Sequence, residues 1–438
     1  MLSMLLSSLM LTLGQDPYSL PGSFAWGERQ VSVPNATGGS QSAKLYYPAV
    51  SQGTGTDLSP SGGPFPVVTF AHGFFATPAF YDSFCRQLAT RGYLVISTDS
   101  QGLSFNPNRL QYISDVKDTI TYLIDQNSTP GSVLQGRVDT AAIGISGHSL
   151  GGGIASVVAA EDSRVKALAT FSSVTLRSSG PLGTAPPPYA DDAVSKLDIP
   201  VSFINGSLDQ LVPVSSGGQP LFNAASGPKL LPNVIGGYHV GFTDFPFTPP
   251  LGDFGQPGSI SLEENQAFGR AELASFFDLY LKGDQSAWRR QWGPERFALA
   301  GVINQVDPGF SITLNADNLV GLPGQQKWVD ITIQNTSDHS DSYSLFAEDN
   351  LWSLNFSLPS TSLLAPGQQQ TLSAWVTIPS SPASLTDLAL VSARSNLDGG
   401  TRAFTYLRTS VPEASSLVLA GGAILVAGAS VIGRRKSR

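Results

Sequence analysis

The sequence predicts an α/β fold, a mostly parallel sheet flanked by helices, followed by a small all-β sandwich and a membrane-spanning tail. Three observations predict it. Continuous apolar runs alternate with helical patterns from about Val31 to about Lys282. Short strands and turns replace that alternation after about Phe297. An apolar run and a basic cluster end the chain. Four segments follow: 1–14 as a possible signal segment, 25–295 as an α/β domain, 308–410 as an immunoglobulin-like β-sandwich and 411–438 as a tail.

Met1 to Leu13 is apolar and short, as the core of a signal peptide is. The runs 67–70, 94–97, 141–145, 167–171 and 201–204 read as strands buried on both faces of a parallel sheet. Between them, 80–89, 110–124 and 262–281 carry apolar residues at helical spacing. Lys282-Gly283 closes the last helix with a basic residue and a glycine. Such alternation implies right-handed crossovers. From Phe310 to Arg408, six or seven short strands separated by turns such as Pro323-Gly324 and Pro366-Gly367 read as a sandwich. No cluster of catalytic residue types lies in it, and His339 sits in a polar turn.

Composition narrows the function. Only 13% of residues are charged and the net charge is −8. Ser, Thr, Asn, Gln and Gly cover the surface instead, as in secreted proteins. There is no basic stripe and no nucleic-acid motif, so nucleic acid is not expected as a partner. Cys85, the sole cysteine, allows no intramolecular disulfide and reads as a buried thiol. No Cys/His cluster has zinc-site spacing, so neither metal nor cofactor is expected.

The most informative stretch is Gly147-His148-Ser149-Leu150-Gly151. A strand leads in and a small-residue helix, 154–160, leads out. A serine between them occupies a tight, strained turn that lifts its hydroxyl clear of the sheet. The flanking glycines give the backbone room for that turn. A serine hydroxyl needs a base, usually a histidine oriented by a carboxylate. The chain has four histidines. His72 directly follows a strand, the His148 side chain is expected to point away from the hydroxyl, and His339 lies in the sandwich. His239, in the loop after 230–235, remains as the base.

The acid is expected between serine and histidine, at the carboxyl end of a strand. Glu161 and Asp162 close the helix after the serine, Asp191 and Asp192 follow a Pro-rich loop, and Asp198 precedes its strand. Asp209 follows the strand 201–205 and is the expected acid. Asp99 is expected to shape its own turn. Donors for a developing oxyanion are expected from the backbone N–H groups of Phe74 and Leu150, with His72 bracing the loop of Phe74. Phe75, Tyr238 and Phe242 lie in the loops beside the serine and are expected to bind an apolar acyl or alcohol group. The Pro- and Gly-rich segment 177–190 is expected to overhang an open cleft.

The His72-Gly73-Phe74 loop, the Gly-His-Ser-Leu-Gly elbow, Leu208-Asp209-x-x-Val212-Pro213 and Gly237-x-His239 stand in an order that resembles the α/β-hydrolase superfamily. The chain is most similar to its dienelactone hydrolase, chlorophyllase and cutinase-like polyester-hydrolase branch. The resemblance spans about Val31 to Lys282. It implies a serine carboxylic-ester hydrolase (EC 3.1.1 type) with an acyl-enzyme intermediate, and an ester with an apolar group as its partner. Phe74 matches the aromatic position that supplies an oxyanion donor in cutinase-like enzymes. Leu150 stands where methionine is frequent there, and the disulfide usual there is absent. An acyltransferase or peptidase would use the same three residues. A non-catalytic surface adhesion or matrix-binding protein is the reading from another class.

At the C-terminus, the apolar run 417–433 is followed by Arg434-Arg435-Lys436-Ser437-Arg438. The basic cluster is expected to stay cytoplasmic. With Pro412-Glu413 before the run, the tail resembles the PEP-CTERM sorting signal of Gram-negative surface proteins, with Ala414 where that signal usually has a second proline. The resemblance implies a sorting protease as a partner and an exported protein, at the cell surface, extracellular or membrane-anchored.

Overall fold

The computed structural model describes residues 16–36, 38–177, 186–245, 253 and 258–412. The expected signal segment, most of the expected tail and the middle of the 177–190 segment lie outside the described residues. Among the described residues, no helix is long and apolar enough to cross a membrane. The chain divides into two compact units. The first runs to Gly309 and includes Asp398–Thr401; the second takes Phe310–Leu397 and the chain from Arg402 on.

The first unit is built on a ten-stranded mixed sheet, which with its helices fits an α/β hydrolase. Its strands are β1 (Ala25–Pro34), β2 (Ser40–Ala49), β3 (Gly53–Thr54), β4 (Phe65–Ala71), β5 (Leu94–Thr98), β6 (Val138–His148), β7 (Val165–Phe171), β8 (Val201–Gly206), β9 (Lys229–Val234) and β10 (Val302–Asp307). Their order is β10-β9-β8-β7-β6-β4-β5-β2-β1-β3. From β9 to β5 all neighbours are parallel. β2 on one side and β10 on the other pair antiparallel. β4, β5 and β8 are buried along their whole length, as their unbroken apolar character requires of strands covered on both faces.

The helices are α1 (Asp82–Thr90), α2 (Arg109–Ser128), α3 (Leu150–Glu161), α4 (Ala190–Val194), α5 (Gly218–Ala224) and α6 (Leu262–Leu281), with two further short ones before β10. Ile113, Val116, Ile120 and Leu123 of α2 join Ile154 and Val158 of α3 in one core with the strands. Asn108 caps α2 by accepting from the Gln111 N–H. Ser261 and Glu264 form a reciprocal capping box that fixes the start of α6. Cys85 is fully buried in α1, and burial pushes its thiol well above the usual range.

β10 lies beyond the expected end of the α/β domain at 295 and extends the large sheet. Its half-buried, alternating pattern is that of an edge strand, and it pairs with β9 from Val302 to Asp307.

The second unit packs two four-stranded sheets face to face. One holds β11 (Phe310–Leu314), β13 (Gln326–Asn335), β15 (Ser353–Phe356) and β16 (Gln369–Thr377). The other holds β12 (Asn318–Val320), β14 (Tyr343–Glu348), β17 (Thr386–Ser395) and β18 (Arg402–Ser410). These eight strands exceed the six or seven expected from sequence. Val329, Ile331 and Ile333 alternate inward from β13 onto a core with Leu372, Ala374, Val391 and Leu407. On the outer side, Trp328 and Trp375 form a cross-strand pair with ring centroids 4.9 Å apart.

Candidate active site

Parallel pairing brings the expected site residues to one edge of the large sheet. Ala71 at the end of β4 lies opposite Gly147 of β6, and His148 opposite Phe171 of β7. The loop of Phe74, the turn of Ser149, the turn of Asp209 after β8 and the loop of His239 after β9 therefore all leave from carboxyl ends of strands. Open α/β sheets bind ligands at this edge.

Ser149 joins β6 to α3 with φ 56° and ψ −117°. A non-glycine residue reaches such angles only at a cost, and they turn its side chain out of the sheet. The turn is pinned on both sides. Its N–H donates to the Phe171 carbonyl at 2.9 Å, and its carbonyl accepts from Gly153 and Val174, each at 3.2 Å. The two glycines of the pentapeptide are required by close approach. A Cβ on Gly147 would lie 2.4 Å from the Gly151 carbonyl oxygen, and one on Gly151 would lie 2.1 Å from that of Ala71. Leu150 is the first residue of α3, and the first N–H groups of a helix have no partner within it.

His239 and Asp209 meet. The His239 Nδ1 lies 2.9 Å from the Asp209 Oδ2, and both side chains are buried. The other Asp209 oxygen accepts from the Leu211 and Val212 N–H groups at 3.0 and 2.7 Å. A carboxylate held this way is acceptor-only, so the imidazole proton sits on Nδ1 and the Nε2 lone pair is left for a proton. The loop of His239 is also held by α6, where the Asn265 Oδ1 accepts from the Tyr238 N–H at 3.0 Å. Four of the acids set aside in the sequence have other partners: Glu161 pairs with Lys117, Asp162 with Arg164, and Asp191 and Asp192 with Arg177. The Asp99 carbonyl accepts from the Gly102 N–H at 3.2 Å within its turn.

His148 has a role that sequence reasoning missed. Its buried ring packs on the His239 ring, centroids 4.5 Å apart. The Tyr81 hydroxyl accepts from the Gly73 N–H at 2.9 Å and lies 2.9 Å from His148 Nδ1. The hydroxyl proton is thus available to Nδ1, which makes that nitrogen the acceptor. Burial, with the neighbouring His239 adding to it, holds His148 well below the usual histidine range and keeps it neutral. Burial likewise raises the Tyr81 hydroxyl. Tyr81 therefore ties the loop after β4 to the elbow. Only its position before α1 is visible in the sequence. His72 braces the same loop from the other side, with Nδ1 and Nε2 each 2.9 Å from the carbonyls of Gly73 and Ser100.

Comparison with known proteins adds to this geometry. Residues 18–230 match the family described as "PETase: PET hydrolase-like". A protein of Methylorubrum extorquens named "Putative carboxymethylenebutenolidase" is 29% identical over 163 residues, 35% of this chain and 55% of its own length. Cutinase 1 of Thermobifida cellulosilytica is 22% identical over 203 residues, 46% of this chain and 66% of its own length. A cutinase of Thermobifida fusca is 22% identical over the same length and 57% covered.

Over this stretch the chain is similar to PET hydrolase-like, cutinase and carboxymethylenebutenolidase proteins.

The chain spans between 55% and 66% of the curated relatives named here. The family match contains Ser149 and Asp209 and ends before His239.

The aromatic residues in the loops beside the serine divide in two. Phe74 and Phe75 are 50% and 39% exposed. Phe75, at φ 52°, stacks on the exposed Phe105 with centroids 4.3 Å apart. Tyr238 and Phe242 correct the expectation. Both are buried, and Phe242 stacks on Phe171 under the sheet edge, centroids 5.2 Å apart. Phe242 belongs to a short 3-10 turn (His239–Phe242) that directs it inward as a core anchor for the base loop. Phe105 and the exposed Leu103 lie in the loop after β5, where the sequence carries no periodic signal.

Proposed function

We propose that this protein is a serine carboxylic-ester hydrolase acting on apolar acyl or alkyl esters, with Ser149 as nucleophile, His239 as base and Asp209 as the orienting acid. The observation that carries the reading is the 2.9 Å contact between His239 and Asp209 at the sheet edge where Ser149 stands on its strained turn.

In this reading His239 Nε2 takes the Ser149 hydroxyl proton as Oγ attacks the ester carbonyl carbon. Asp209 holds the imidazolium that forms. The amides of Phe74 and Leu150 stabilise the tetrahedral oxyanion. The Gly73 N–H is taken by Tyr81, which favours Phe74 as the donor of its loop. Collapse breaks the bond to the alcohol, which leaves with the proton from His239. Water then attacks the acyl-Ser149 ester, gives its proton to His239, and the acid departs as Ser149 is regenerated.

The apolar preference is supported by exposed side chains on both sides of the elbow. Phe74, Phe75, Leu103 and Phe105 follow β4 and β5, while Leu208 and Leu211 follow β8. Wild type and Ser149→Ala assayed on p-nitrophenyl esters of increasing acyl length test the reading. Turnover should vanish in the variant and favour the longer acyl chains. Equal turnover by the two proteins overturns it. An acceptor alcohol replacing water would make the same site an acyltransferase, and product analysis with added alcohol separates the two.

We also infer export to the cell surface, with a sorting protease acting on the tail. This rests on the sequences of 1–14 and 411–438 alone. Fractionation of an expressing Gram-negative host tests it, and a purely cytoplasmic protein overturns it.

A further inference from the structure

One buried carboxylate at the site has no place in the chemistry above. Asp253 is only 2% exposed. Its Oδ2 accepts from the His239 N–H and from the Gln210 N–H, each at 2.9 Å, and its Oδ1 accepts from the Val240 N–H at 3.1 Å. Two of these donors belong to the base loop. The third belongs to the residue directly after the acid. A single carboxylate therefore clamps the backbone of His239 to the backbone beside Asp209.

A carboxylate taken out of water is costly unless its oxygens are satisfied, and three N–H donors satisfy this one. Hydrogen bonds to an ionised acceptor are stronger and shorter than neutral ones, so the clamp is stiff. It acts on the two loops whose side chains must keep one spacing for the base to work. Small displacements of reacting groups are expensive in rate, which gives such a clamp leverage on turnover rather than on binding.

We propose that Asp253 is a positioning residue that sets the His239–Asp209 geometry through the backbone of both loops. The proposal rests on the reading of His239 and Asp209 as base and acid. Asp253 touches neither side chain through its carboxylate and takes no proton in the reaction.

The test uses the full chain with Asp253→Ala and Asp253→Asn, folding being checked by circular dichroism and thermal melting. For Asp253→Ala, kcat on p-nitrophenyl butyrate should fall by about 10- to 100-fold with KM within about twofold of wild type. Sodium formate should restore part of the lost kcat in a saturating manner, because it returns a carboxylate to the vacated space. Sodium chloride at equal ionic strength should restore none. Asp253→Asn keeps one acceptor oxygen and sets its NH2 against an N–H, so its kcat should lie between wild type and Asp253→Ala. This second variant carries the test if the alanine variant does not fold. A kcat within twofold of wild type in the folded variants overturns the proposal, as does equal recovery in formate and chloride. If Ser149→Ala is inactive while Asp253→Ala matches wild type, only this proposal fails. If Ser149→Ala retains wild-type turnover, the serine mechanism itself fails.

Discussion

The Nδ1 of His239 lies 2.9 Å from the Oδ2 of Asp209, although 30 residues separate them in the chain. The contact fixes the imidazole tautomer, because an ionised carboxylate only accepts. Asp209→Asn offers an amide in place of that acceptor and permits the wrong tautomer. Turnover should fall by at least about 10³-fold while the protein stays folded. Steady-state kinetics beside a thermal melt check this, and a variant within tenfold of wild type contradicts it.

The Tyr81 hydroxyl joins the Gly73 N–H to His148. Tyr81→Phe leaves both groups buried without that partner. Unfolding free energy should drop by about 1–3 kcal/mol, the cost of unsatisfied buried polar groups. Activity should drop further than stability accounts for, since the oxyanion loop is loosened. Urea melts and kcat of the same preparation separate the two effects.

Burial keeps His148 neutral at working pH. His148→Gln should therefore leave the shape of the kcat/KM pH profile unchanged, because a histidine held neutral does not change charge across it. A pH profile that loses its acid limb in the variant would assign the titration to His148 instead.

Gly151 sits against the backbone oxygens of Ala71 and His72, 2.1 and 2.4 Å from where a Cβ would stand. Backbone cannot move aside as a side-chain tip can. Gly151→Ala should lose at least about 1–3 kcal/mol of stability, the usual range for overpacking, and most of its activity. Soluble yield and melting temperature check the first, esterase assay the second.

Away from the site, Glu272 is fully buried between Arg290 and Arg296, with oxygens 2.7 Å from both guanidinium groups. Burial alone would raise its carboxyl, but the two arginines outweigh burial and hold it below the usual range. The stability this adds is fully present above the ordinary glutamate value. It is lost as pH falls through the lower folded value. Glu272→Ala should cost about 3–5 kcal/mol near neutral pH, because buried Arg296 loses its carboxylate and Arg290 keeps only Asp16. The gap between variant and wild type should narrow below about pH 4. Urea melts across that range check both statements.

What could be read from the sequence was local. The apolar run into Gly147, the pentapeptide and the small residues after it state a strand, a turn and a helix within about twenty positions, and β6, Ser149 and α3 stand there. Asp209 and His239 were reachable because each follows an apolar run that becomes a strand of the large sheet. Other features depend on contacts between distant segments. Phe242 and Phe74 are both phenylalanines in loops beside the elbow, yet one is fully buried and the other half exposed. Only the packing of Phe242 on Phe171 decides that, and no local pattern encodes it. The ring contact of His148 with His239 and the clamp of Asp253 are equally non-local. β10 is a short edge strand that lies between the expected domain limits at 295 and 308, and its place in the large sheet depends on pairing with β9.

The central claim is that Ser149 is the nucleophile, and covalent trapping tests it most directly. The full chain is incubated with diisopropyl fluorophosphate, digested and mapped by mass spectrometry. The account predicts one phosphoryl adduct, on the peptide that contains Ser149, with loss of esterase activity in proportion to labelling. It also predicts no adduct in Ser149→Ala. An adduct on another serine that tracks the loss of activity, or full activity in a protein fully labelled at Ser149, would contradict it.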